Sequence, residues 1–240
     1  MARLLGRRPL QYSFLVPYRF DELSARPTLF YLQRLNRPPQ SAWRTALPWP
    51  LAVIDFEASS WDHHSYPIEV GLAFWPSPDE PIYGWSTLIK PAEKWTRHGD
   101  WSPKSAKVHG ISGGELFRIG TPVDRVAATL NKMLGSERIA WCDGDMYDIQ
   151  CTGKLFKAAK ATPVFHLGGW RDLLDMVGPA MRERGLQWLN QAPVRHRARH
   201  GAERLLRALA HAVGIESITV RDFVCLSSDG HVDEAKSAVG

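Results

Sequence analysis

The sequence is poor in cysteine: Cys142, Cys151 and Cys225 are the only three in 240 residues. They are too few and too scattered for a disulfide framework or a Cys-rich zinc site, and a reducing, cytoplasmic compartment is expected. Long apolar runs are absent too. Stretches such as 47–54 fall far short of the ~20 residues that a membrane span requires, so no membrane partner is expected. Lysine is missing from the first fifty residues, where eight Arg stand beside only Asp21 and Glu22. That segment carries +6, and the other 22 basic and 23 acidic residues leave the rest at −1. The overall +5 therefore says little about the chemistry of the body, which must bind any polyanion by local placement of charge.

What is present is an ordinary globular composition, 44% hydrophobic and 23% charged, which excludes collagen-like and disordered chains. Residues 1–49 read as an Arg/Pro-rich arm with prolines at 9, 17, 27, 38, 39 and 48. Prolines this frequent interrupt helices and central strands, leaving room for one short helix near Pro27–Leu35. The basic arm suits a nucleic acid or a protein partner.

Regular patterns begin at Pro50 and define a domain over 50–214. Leu51–Ala58, Ile68–Trp75 and Tyr83–Ile89 read as strands separated by turn formers. Pro122–Leu134 has helical periodicity, with Thr121 as its expected cap. Ile139–Cys142 and Val164–His166 read as short strands, Tyr147–Ala159 and Trp170–Arg184 as helices. His196–Val213 is an amphipathic helix ended by Gly214. Three strands followed by alternating helices and strands predict an α/β sheet with helices on its faces. The remaining 215–240 hold one strand-like run, Ile218–Cys225, and a polar stretch from Ser227.

The sharpest local feature is Asp55-Phe56-Glu57 at the end of the first strand. Alternation along a strand places both acids on one side and Phe56 on the other. Like charges so close are costly unless a cation neutralises them, and hard divalent cations take oxygen ligands of this kind. A solvated strand end paired with Arg or Lys is the alternative. Further on, the turn Asp143-Gly-Asp-Met-Tyr-Asp148 opens a helix; Asp143 or Asp145 can cap it, and Asp148 can face back toward the first strand as a third carboxylate.

Taken in order, Asp55-Phe56-Glu57, Ile68-Glu69-Val70-Gly71, Val108-His109-Gly110-Ile111-Ser112, the Asp143–Asp148 turn and His196 resemble the motifs of the DEDD-type 3′–5′ exonucleases, in their DnaQ-like, His-containing branch. The resemblance covers roughly 50–213. It implies a ribonuclease-H-like mixed sheet in which four carboxylates bind two divalent cations, Mg²⁺ or Mn²⁺, and release nucleotides from the 3′ ends of single-stranded DNA or RNA. It assigns Asp55, Glu57 and Asp148 to metal binding and catalysis and His196 to the general base, a task suited to a side chain that titrates near neutrality. His109 would sit in a loop bordering the terminal nucleotide, or else cap its own backbone from that loop. Trp61 either packs or offers a face for a terminal base. Arg197, within the basic run 195–200, either neutralises the nearby carboxylates, holds substrate phosphates or belongs to a solvated helix face.

One position departs from the pattern. Five residues after His196 the family carries its fourth carboxylate, and here stands Gly201. At about 100° per residue, His200 and Glu203 do not replace it on a regular helix; His200 would do so as an Mn²⁺ or Zn²⁺ ligand on a distorted one, and Asp143 or Asp145 would do so by reaching the metals from the opposing turn. Gly201→Asp is expected to raise activity if the missing ligand limits the rate. The alternative reading is a catalytically weakened or inactive nucleic-acid-binding scaffold on the same fold. A metal-dependent phosphodiesterase acting on short oligonucleotides is a third.

Overall fold

A computed structural model describes residues 41–136, 138–143 and 146–223. The helix expected at Pro27–Leu35, Asp145, Cys225 and the polar stretch from Ser227 lie outside them.

The apolar run Leu51–Ile54 continues through the acids as one strand, β1 (Leu51–Ala58), in the centre of the sheet. It pairs antiparallel with β2 (Pro67–Trp75), and β2 pairs antiparallel with β3 (Ile82–Leu88). β4 (Ile139–Cys142), β5 (His166–Gly169) and β6 (Val220–Asp222) add parallel pairings to give the mixed order β5-β4-β1-β2-β3-β6.

Side-chain alternation divides the core into two layers. Leu51 and Val53 of β1, with Ala73 and Trp75 of β2, pack against α7 (Trp170–Asp175), α8 (Pro179–Gln191) and α9 (Ala198–Ala212). Ala52, Ile54 and Phe56 face the opposite way, onto α5 (Val123–Leu134) and α6 (Met146–Ala159). The parity that buries Phe56 among α5 and α6 turns Asp55 and Glu57 toward α9. Helices therefore flank both faces of a mixed six-stranded sheet.

Several local expectations are corrected. Residues 42–46 form a short helix, α1, and Trp43 and Leu47 are buried in the α9-side core, so this end of the arm belongs to the folded body. The helix expected over Trp170–Arg184 stops at Asp175 and restarts at Pro179; proline has no N–H to continue a helix but suits a first turn. Thr121 does not cap α5, whose N-cap is Pro122; its hydroxyl shares a 2.8 Å hydrogen bond with Thr87. The fifth strand begins at His166, two residues later than Val164. Between β3 and α5 lie three short helices that sequence periodicity missed: α2 (Glu93–His98), α3 (Pro103–His109) and α4 (Gly113–Ile119). Each is about two turns or less, too short for a 3.6-residue period to repeat. No helix among the described residues is long and apolar enough to cross a membrane.

Candidate nuclease site

The end of β1 opens into a cavity of about 260 Å³ whose walls include Asp55, Glu57, Trp61, His109, Asp148 and His196. Six residues spread over 142 positions of sequence thus share one cavity. Asp148, at the start of α6, is 2% exposed. Asp143 also lines the cavity.

The carboxylates are electrostatically strained. Burial, then the charges of Asp148 and Glu57, push the Asp55 carboxyl well above its ordinary range, although the Phe56 N–H opposes this. Glu57 is pushed up to about 7, by burial first and then by the neighbouring Glu69 charge. The structure records no ion pair for Asp55 or Glu57 among the described residues. Oxygen donors of this type suit a hard divalent cation, which would remove their mutual repulsion. In the present arrangement, however, no three His, Cys, Asp or Glu side chains among the described residues are set to grip an ion.

Gly201 explains part of that arrangement. It faces β1 from the first turn of α9, and a Cβ added there would lie 2.2 Å from Asp55 Oδ2 and 2.8 Å from its Cγ. The missing side chain does not leave a void. The Asp55 carboxylate fills the space, so an Asp at 201 would need Asp55 to move first. Gly201→Asp therefore adds a ligand only with a shift of the Asp55 carboxylate.

Glu69, which motif reasoning placed on the second strand without a role, determines where α9 begins. Its buried carboxylate accepts from Arg197 Nε at 3.0 Å and Nη2 at 2.7 Å, and from the backbone N–H of Ala198 at 3.0 Å. A carboxylate at a helix N-terminus is favoured by the unpaired N–H groups there. Gly71, two residues along β2, lets the Ala198 and Arg199 backbone lie where a Cβ would stand. The E-x-G spacing was the available signal. Arg197 is thereby engaged by protein, whereas the exposed His196 beside it remains at the cavity wall.

His200 does not join the site. It follows the regular turn of α9 away from Gly201 and lines an adjacent groove with Trp188 and Arg207. Successive residues of a helix point about 100° apart, which is the reason that the distorted-helix ligand is not realised.

His109 ends α3 and is not in a loop. Its Nδ1 accepts from the Ile111 N–H at 3.0 Å, which leaves the proton of the neutral ring on Nε2. That Nε2 is buried without a partner, as is the Ser105 hydroxyl one helical turn earlier. The two residues are 5% and 4% exposed, and both line the cavity. Burial holds the His109 pKa below its ordinary value. Backbone capping and an unsatisfied buried donor therefore coexist in one side chain at the cavity wall. Trp61 is 76% exposed and lies 5.4 Å from the Tyr147 ring, tilted by 38°. The Tyr147 hydroxyl donates to the Ser60 carbonyl and so ties the Trp61 loop to α6.

No protein-family model matches the chain, and no curated protein sequence does. Solved structures do resemble it. A zinc-ion-bound complex of E. coli exonuclease I with single-stranded DNA superposes with a TM-score of 0.53 at 14% identity, over 70% of this chain and 41% of that one. The same exonuclease in complex with a dT13 oligonucleotide gives 0.53 and 14%, over 71% and 41%. A full-length 3′-exonuclease gives 0.51 and 13%, over 68% of this chain and 60% of that one. The chain thus spans about two fifths of the exonuclease I chains that it matches. These likenesses carry the fold, a ribonuclease-H-like α/β sheet of the kind used by 3′-exonucleases.

Proposed function

We propose that the protein is a metal-dependent 3′–5′ exonuclease of the DEDD type, in its His-containing branch, acting on single-stranded DNA or RNA ends. The observation that carries this reading is the convergence of Asp55, Glu57, Asp148 and His196 on one cavity of about 260 Å³. Asp55, Glu57 and Asp148 are the residues that would hold divalent cations, Mg²⁺ or Mn²⁺, and such cations would supply polarisation of the scissile phosphate and stabilisation of the departing 3′-oxygen.

The chain's own groups supply the rest. His196 takes the proton of the attacking water, and its exposure allows that proton to pass on to solvent. The Nε2–H of His109 and the hydroxyl of Ser105 gain acceptors when phosphate or sugar oxygens enter, which relieves two buried unsatisfied donors. Trp61, backed by Tyr147, offers an aromatic face to the terminal base. Arg197 works through Glu69 to hold the start of α9, and with it His196, in register with β1.

A second reading has its own observation: with Asp55 resting against Gly201, α9 brings no carboxylate of its own to the site, which would then be a weak catalyst or a binding scaffold. Both are separated by incubating the protein with a 3′-labelled single strand in Mg²⁺ and in Mn²⁺, beside Asp55→Ala. Nucleotide release that Asp55→Ala abolishes is expected. No release in either metal, with retained strand binding, would favour the scaffold.

A further inference from the structure

We infer that the outer face of α9 is a phosphate-binding track that holds the single strand on the 5′ side of the nucleotide seated in the cavity; this rests on the nuclease reading of that cavity. His200, Arg204, Arg207 and His211 recur at helical spacing, within an arc of about 60° over about 16 Å of helix. At ~3.4 Å per phosphate in a stacked strand, the stripe spans several phosphates.

The stripe is continuous with the cavity. Arg195 and Arg204 line both the cavity and the groove beside it, and Trp188 and Arg207 line both that groove and the next. The basic run divides by partner. Arg197 is bound to Glu69, and Arg199 to Glu203 at 2.5 Å and Asp222 at 2.6 Å. Arg195, Arg204 and Arg207 have no carboxylate partner among the described residues. Arg204 is held in place by donation to the Leu189 carbonyl, and its Nε is buried without an acceptor.

Trp188 adds a stacking surface. It is half-buried, with its ring 6.2 Å from His211 at 32°. The guanidinium groups of Arg195, Arg204 and Arg207, joined to an aromatic and leading into a carboxylate cavity, match a strand whose phosphates lie along the helix and whose terminal linkage reaches the acids. This resolves how a body near neutrality would hold a polyanion.

Binding without hydrolysis tests the track. Fluorescence anisotropy in EDTA, with a 5′-labelled trinucleotide and a twelve-residue oligothymidylate, is run from about 50 to about 200 mM salt. The full chain is expected to bind the longer strand at least tenfold more tightly. Arg207→Ala should weaken the longer strand about threefold or more and lower its salt slope by about 0.7, the single-strand value for one lost phosphate contact. Arg207→Glu should weaken it further, while trinucleotide affinity stays unchanged in both. Lys132→Ala, on the other face of the sheet, is the control and should change neither.

Equal affinity for the two lengths, or an undiminished longer strand in Arg207→Glu, would overturn the track even if nucleotides are released normally. Competition by polyglutamate as effective as by the oligonucleotide would overturn the choice of occupant. A length-dependent, Arg207-dependent affinity with no hydrolysis in Mg²⁺ or Mn²⁺ would keep the track and reject the exonuclease reading.

Discussion

Glu57 and Glu69 sit directly opposite each other in the β1–β2 register and differ in everything but residue type. Glu69 is buried under a bidentate guanidinium and a helix N-terminus, with its charge matched by protein. Glu57 faces the cavity, and burial together with the charge of Glu69 pushes its carboxyl up to about 7. The same side chain is a structural anchor on one strand and a poised ligand on the next. The partner that α9 brings decides which.

The comparison is broken most severely by emptying the cavity side. Asp55→Ala should lower nucleotide release by about three orders of magnitude, the rate equivalent of the several kcal/mol that a Lewis-acid centre supplies. A melting curve showing an intact fold would separate this from collapse. Emptying the anchored side should cost less: Glu69→Gln removes the charge that holds Arg197 and Ala198, with an expected stability loss of about 2 kcal/mol. Release should fall about 10- to 100-fold, as for residues that orient a site without entering it, and a urea denaturation series measures the stability change.

Gly201→Ala acts between the two sides. Its Cβ needs the space held by the Asp55 carboxylate, and cation affinity by calorimetry should fall about tenfold. A rise in affinity would show that Asp55 is better placed elsewhere.

The smallest effect is on pH. With a folded pKa near 7 against 4.5 unfolded, Glu57 binds more proton in the native state between those values. The native state is therefore stabilised at low pH and loses that contribution as pH rises through the window. Metal-free melting temperatures should fall from pH 5 to pH 7.5. Glu57→Gln should flatten the trend, and added Mg²⁺ or Mn²⁺ should do the same.

Much of the scaffold was legible locally. The bounds of β1 follow from an apolar run closed by D-x-E, and α5 and α9 follow from repeated 3.6-residue spacing. Other elements were not: α2, α3 and α4 are too short to show a period, and the single helix expected over Trp170–Arg184 hid a restart at Pro179. The placement of His109 in a loop failed because α3 is started by the Ser102 cap and Pro103, local signals without an apolar stripe.

The site divides in the same way. Sequence alone determined which side of β1 its acids occupy, since strand parity is a property of the backbone, and it showed that Gly201 brings no ligand of its own. Only the tertiary structure decided what fills the space at 201, which glutamate is neutralised, and that His200 leaves the cavity while Arg204 lines it. Those outcomes depend on the approach of α9 to β1 and β2, set by Glu69 and by the backbone contact at Gly71. Contacts across more than a hundred residues of chain are not encoded in any local spacing.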